Sequence, residues 1–209
     1  MKNSFNPDWR KTGKRIVLAS DSPRRSEILT AMGMCFTTHT PLLDNEASFL
    51  ASAEIEGSLT RLARAKARSV AEKFPDALIL GADTIVVCEG TILGKPHDRD
   101  EAYAMLQRLS GRSHLVYTGV ALLCLEQNFA ESTVVKTKVF FRDVTDLEIS
   151  MYIGSDECAD KAGAYAIQGK AMVFVDKIEG CYYNVVGLPV VKTIALFNAY
   201  STRKESQNV

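Results

Sequence analysis

The chain has 209 residues, 46% hydrophobic and 24% charged, an ordinary globular composition that excludes a disordered chain and suffices for one domain with a substantial core. Its 25 Lys and Arg are matched by 25 Asp and Glu, so no global positive field exists to hold a nucleic-acid polymer, and any anion site must be local. The five cysteines are widely spaced with no C-x-x-C pair, which argues against a zinc site and a secreted disulfide framework and favours a reducing compartment. No apolar stretch reaches the roughly 18 to 20 residues of a membrane span, and the polar start "MKNSFNPDWRKTGKR" lacks a signal-peptide core. A soluble, cytoplasmic protein without a membrane partner is the expectation.

Arg15 to Ala19 reads as a short buried strand, followed by Ser22 as N-cap and Pro23 as first helical residue. Ile28, Leu29 and Met32 form the packed face of that helix, and Gly33 stops it. A second helix is predicted from Ser58 to about Phe74, with Leu59, Leu62, Ala63 and Val70 as its apolar stripe. The run "ALILGADTIVVCEGTILGKP" predicts a strand and a turn at Glu89-Gly90, and Asp98 with Glu101 starts a helix carrying Ala102, Met105, Leu106 and Leu109. Two long β-rich runs about a polar turn near Gln127-Asn128 imply an antiparallel pair, and so a mixed sheet. Thr145 and Glu148 cap a short helix through Ile153 that stops at Gly154; "AMVFVDKIEG" reads as a strand; Leu188-Pro189 opens a last helix through about Tyr200. The division expected is a flexible segment over 1–14, one domain over 15–200 and a polar, mobile tail over 201–209.

Several residues break this pattern. Arg24 and Arg25 fall in the first turn of a helix whose dipole is already positive there, a placement with a physical reason if a phosphate sits at that helix start. Otherwise they point into solvent or pair with Glu27 and Asp21. Lys66 lies on the apolar stripe of the second helix and either snorkels or extends its ammonium into a cleft. Asp83 interrupts an apolar strand, where a carboxylate needs a cation, a metal or hydrogen bonds; the alternative is a backbone-binding Asp at a kink beside Gly81. "GTILGKP" is not a Walker A loop, since it lacks the four-residue spacing and the Ser/Thr, but Lys95 is either a phosphate contact or a solvated loop lysine. Gln168, in the glycine-containing stretch "DKAGAYAIQGKA", can both donate and accept, which suits a nucleobase edge as well as a surface loop. No Ser/His/Asp arrangement stands out, and His114 reads as a structural residue at a strand end.

The motifs "LASDSPRR", "GADTIVV" with "GKP", "LSGRSHLVYTGV", "DKAGAYAIQG" and "IEGCYYNVVGLP" resemble, in order from Leu18 to Pro189, those of the Maf family of nucleoside triphosphate pyrophosphatases. The resemblance implies an elongated α/β/α fold with a mixed central sheet and two lobes flanking a cleft, similar to inosine triphosphate pyrophosphatase. It implies hydrolysis of the α–β phosphoanhydride to a monophosphate and pyrophosphate with Mg2+ or Mn2+, and a homodimer. Carried over by position, the active-site residues are Ser20, Arg24, Arg25, Lys66, Asp83, Lys95 and Gln168. Asp83 would serve as general base or metal ligand. Where many members read Asp-Glu before the second helix, this chain reads Asp44-Asn45-Glu46, so Asp44 or Glu46 would supply the further metal-binding carboxylate. Arg24, Thr84 and Ile167-Gln168-Gly169 match the dTTP- and UTP-hydrolysing members, with CTP as a further substrate. The other readings are a 7-methyl-GTP-type enzyme and a non-catalytic nucleotide-binding regulator of cell division.

Overall fold

The structure, a computed structural model, describes residues 12–50 and 54–207. Within these residues seven strands form one mixed sheet: β1 (Ile16–Ala19), β2 (Thr37–Thr38), β3 (Leu78–Cys88), β4 (Thr91–Leu93), β5 (Ser113–Cys124), β6 (Phe129–Phe141) and β7 (Val175–Glu179). Their order is β2-β1-β3-β5-β6-β7, with β4 also on β3; β1 pairs parallel to both neighbours and every other pairing is antiparallel. Among the described residues six α-helices accompany them: α1 (Pro23–Ala31), α2 (Ile55–Ala71), α3 (Arg99–Leu109), α4 (Asp146–Ile153), α5 (Tyr182–Val186) and α6 (Val190–Gln207). The expected α/β class with a mixed central sheet is therefore what the chain adopts.

Alternating side chains of the long strands separate the packing. On one face of the sheet, α2 lays Ala63, Ala67 and Val70 against Val17, Ala19, Ile79 and Ala121. On the other, Ile28 and Leu29 of α1 and Leu196 and Phe197 of α6 pack on Leu18, Leu78, Leu80 and Ala82. Farther along β3 and β5, a separate core joins Val86 and Val116 to Leu106 and Leu109 of α3, Ile149 and Ile153 of α4, and Phe174. The strands thus run from one packed lobe into a second.

Two glycines set how close α2 lies to the sheet. A Cβ on Gly81 would stand 2.4 Å from the Ala63 carbonyl oxygen and 2.8 Å from the Ala67 nitrogen, and one on Gly119 would stand 2.7 Å from the Leu59 oxygen. Any side chain there forces the helix away. Gly119 is paired across the ladder with Asp83, so the helix is held against the strand where the carboxylate sits.

Several elements differ from the sequence expectation. Helix α2 begins at Ile55, three residues before Ser58, and closes at Ala71, where the i→i−3 bonds from Lys73 and Phe74 replace α-helical ones. The first half of "AMVFVDKIEG" is a 3-10 helix over Lys170–Phe174: Ala171 and Phe174, three apart, are buried while Met172 and Val173 face out, so only Val175–Glu179 is strand. Helix α5 is an addition to the expected elements. Helix α6 continues past Tyr200 to Gln207, where the tail 201–209 was expected, and Lys204 there donates to the Thr12 carbonyl at 3.3 Å. The caps agree: Asp98 accepts from the Glu101 nitrogen at 2.8 Å, and Thr145 with Glu148 completes a capping box. The segment 1–11, within the expected flexible 1–14, lies outside the described residues.

Candidate active site

Strand β3 is covered along one edge by β1 only as far as Gly81, and by β4 only from Val86 onward. Residues 82–85 lie between, and their edge is where the sheet opens. A cleft of about 550 Å³ fills this gap. Adjacent side chains of a strand point to opposite faces, so Asp83 projects toward α2 and Thr84 toward α1. Both line the cleft.

On the α2 side, Lys66 is buried to 7% exposure within its apolar stripe. Its Nζ donates to Asp83 Oδ1 at 2.6 Å and lies 2.8 Å from Glu46 Oε2. The side chain therefore does not snorkel, and Asp83 has a cation partner. The ammonium thus engages one oxygen of each carboxylate. Glu46 enters through a 3-10 turn over Glu46–Phe49 that begins just after Asn45, whose positive φ of 54° reverses the chain. That reversal turns Glu46 inward, while Asp44 stays exposed and does not line the cleft. Of the two carboxylates expected from this loop, Glu46 is the one brought to Asp83.

On the α1 side, the paired arginines have different environments. Arg25 is buried: Nε donates to the Gly187 carbonyl at 2.9 Å, one terminal nitrogen to Ser20 Oγ at 2.9 Å and the other to Thr84 Oγ1 at 3.2 Å. Burial pulls its pKa below the usual arginine range, opposed by the charge of Asp83. Arg24 lines the cleft half-buried, and among the described residues no hydrogen bond or ion pair engages it. Neither arginine pairs with Glu27 or Asp21. Asp21 instead accepts from Thr40 Oγ1 at 2.6 Å.

The second lobe closes the opposite wall. Lys95 and Gln168, both exposed, come from two loops tied together by the Gly163 amide donating to the Gly94 carbonyl at 2.9 Å. Lys161 and Asp160, ion-paired with each other, line the same wall. The cleft thus collects Ser20, Arg24, Arg25, Glu46, Lys66, Asp83, Thr84, Lys95 and Gln168 and leaves out Asp44. Gly187, not singled out from sequence, also lines the cleft, and Asn184, buried behind it, had a signal as a polar residue within the apolar run "YYNVVG". His114 is neutral and structural, buried at 2% exposure, its Nε2 2.7 Å from the Tyr165 hydroxyl and its pKa pulled down to about 4 by burial.

Chemically, the cleft gathers several cations above a Lys66–Asp83 ion pair at its floor. Two guanidinium groups at a helix start and Lys95 opposite suit a chain of phosphates, and the Asp83 carboxylate can accept a proton from water. Among the described residues no helix is long and apolar enough to cross a membrane.

Residues 15–200 match the family model described as Maf-like protein. The chain is 52% identical over 178 residues to a protein of Carboxydothermus hydrogenoformans named dTTP/UTP pyrophosphatase, covering 85% of this chain and 94% of that one. Proteins of the same name from Syntrophomonas wolfei subsp. wolfei, 46% identical over 179 residues, and Dictyoglomus thermophilum, 43% identical over 185, cover 86% and 88% of this chain and 94% and 95% of their own. With the match spanning both lobes and every wall of the cleft, the chain belongs to the Maf-like protein family.

Proposed function

We propose that the cleft hydrolyses dTTP and UTP, with CTP as a further substrate, to the nucleoside monophosphate and pyrophosphate. The observation that carries this is the buried Lys66 ammonium between Asp83 and Glu46, facing Arg24, Arg25 and Lys95 across one cleft. The relatives named dTTP/UTP pyrophosphatase support the substrate assignment. In this reading Arg24, Arg25 and Lys95 hold the phosphates, and Ser20 helps orient Arg25. Asp83 takes a proton from the water that attacks the α-phosphorus, and the bond from that phosphorus to the bridging oxygen breaks with pyrophosphate as leaving group. Lys66 donates to the Asp83 carboxylate and orients it for that step. Thr84 and Gln168 face the nucleotide where a pyrimidine edge fits.

Among the described residues no group of three or more His, Cys, Asp or Glu could hold a metal ion, but two converging carboxylates suit a cation that also takes phosphate oxygens from its substrate. The Asp83 and Glu46 carboxylates would hold Mg2+ or Mn2+, which when bound would neutralise phosphate charge and polarise the phosphoryl oxygens. A cytoplasmic homodimer is part of the same proposal, read by light scattering in solution. The test is pyrophosphate release from a panel of nucleoside triphosphates with Mg2+ or Mn2+. Preferential turnover of dTTP and UTP supports the proposal. GTP or 7-methyl-GTP as best substrate, or tight nucleotide binding without release, overturns it.

A further inference from the structure

Behind Arg25 a chain of hydrogen bonds runs across the strands, and beyond Thr84 its side chains do not line the cleft. Thr118 on β5 is fully buried and sits opposite Thr84 in the β3–β5 register. The two hydroxyl oxygens are 2.9 Å apart, and Thr118 Oγ1 donates to the backbone carbonyl of Asn184 in α5 at 3.0 Å. A hydroxyl has one proton. Because Thr118 spends its proton on Asn184, Thr84 must donate to Thr118, which leaves Thr84 an acceptor toward Arg25. The bonds therefore run in one sense, from Arg25 through Thr84 and Thr118 to the Asn184 carbonyl.

The far end is held as well. Asn184, fully buried, donates through Nδ2 to the Val116 carbonyl and to Thr137 Oγ1, each at 3.0 Å. Thr137 Oγ1 also accepts from the Cys181 amide at 3.0 Å and donates to the Cys181 carbonyl at 3.1 Å, which fills its one donor and two acceptor positions. Helix α5 has five residues, too few to hold itself, so these side chains fix it from Cys181 to Asn184. Its C-cap, Gly187, carries the carbonyl that accepts from Arg25 Nε, and a Cβ there would lie 3.5 Å from Thr84 Oγ1 and 3.8 Å from that nitrogen. Besides Ser20, Arg25 is thus held by Thr84 and by the end of α5, and both of these supports lead to Thr118.

We propose that Thr118 is a positioning residue for triphosphate hydrolysis, setting the Arg25 guanidinium through Thr84 on one side and α5 on the other. This rests on the pyrophosphatase reading of the cleft. The comparison is between Thr118→Val, which keeps shape and removes the hydroxyl, and Thr118→Ser, which keeps the hydroxyl. The first readout is solvent exchange of the Arg25 Nε proton by nuclear magnetic resonance, assigned by its disappearance in Arg25→Lys. The second is kcat and KM for dTTP.

Thr118→Val should speed that exchange about tenfold or more, the scale of losing support for a charged hydrogen bond. It should lower kcat/KM about 10- to 100-fold, as for a misplaced binding group. Thr118→Ser should leave both within about threefold of wild type, since it keeps the bond whose loss sets that scale. Unchanged Arg25 exchange in folded Thr118→Val, or Thr118→Ser as impaired as Thr118→Val, overturns the proposal. If Thr118→Val does not fold, Thr137→Val loosens α5 from its other end and must quicken the same exchange. A wild type that hydrolyses neither dTTP nor UTP defeats the pyrophosphatase reading, while the exchange comparison still decides the role of Thr118.

Discussion

Replacing Lys66 with Met removes the ammonium that joins Asp83 to Glu46 and keeps most of the aliphatic stem against Leu62 and Val70. The side chains of Asp83 and Glu46 are 16% and 46% exposed, so Glu46 can turn to water whereas Asp83 is left as a largely buried, uncompensated carboxylate. Breaking a fully buried pair costs about 3 to 5 kcal/mol. Partial exposure here reduces the expectation to about 2 kcal/mol, a fall in Tm of about 4 to 8 °C for a domain of this size. Adding Asp83→Asn to Lys66→Met should return most of that loss, because both charges are then gone. Mn2+ or Mg2+ should raise the Tm of Lys66→Met more than that of wild type, since a divalent cation can take the place between the two carboxylates. Turnover of dTTP should fall at least about 100-fold in both variants. Melting curves with and without Mn2+, beside pyrophosphate release, read all four proteins of the cycle. If Lys66→Met melts within about 1 °C of wild type, less than the shift from 0.5 kcal/mol, and turns over dTTP normally, then Lys66 is an ordinary stripe lysine and the ion pair has no function.

Arg24→Ala should lower kcat/KM by the equivalent of about 1.5 to 3 kcal/mol with Tm unchanged or slightly higher, whereas Arg25→Ala should also lower Tm because the Gly187 carbonyl loses its donor. Equal stability of the two variants would contradict the buried placement of Arg25. Gly81→Ala should destabilise the fold by about 1 to 3 kcal/mol and reduce turnover with it, because α2 must move off the strand that carries Asp83; wild-type melting and kinetics would refute this close approach. His114, buried neutral with its pKa lowered from 6.5 to about 4, binds fewer protons folded than unfolded, so its contribution is present above pH 6.5 and lost as pH falls toward 4. That is about 2 kcal/mol between pH 7 and pH 4.5, and His114→Gln should show a shallower fall in Tm over this window; parallel curves would show that His114 does not set it.

Local signals accounted for much of the framework. Pro23 opens α1, Asp98 and Thr145 cap α3 and α4, and Glu89-Gly90 turns β3 into β4, because a cap or a turn is decided by neighbours within about four residues. The same locality marked Lys66 and Asp83 as misplaced charges on apolar surfaces. Elements that depend on distant support were not legible: α5 has no strong local periodicity and is held by Thr137 and Thr118, and the last turns of α6 continue through residues that read as a polar tail. Two adjacent arginines are alike in sequence, yet Arg25 turns inward because a carbonyl 162 residues away and a hydroxyl 59 residues away meet it, and Arg24 does not. The choice of Glu46 over Asp44 follows from the reversal at Asn45 and from the place of Lys66 on α2. Periodicity and composition report how each residue suits its own helix or strand. Which charges share a cleft depends on how closely α2 packs at Gly81 and Gly119 and where β1 leaves the edge of β3, and those are contacts between segments that no local pattern encodes.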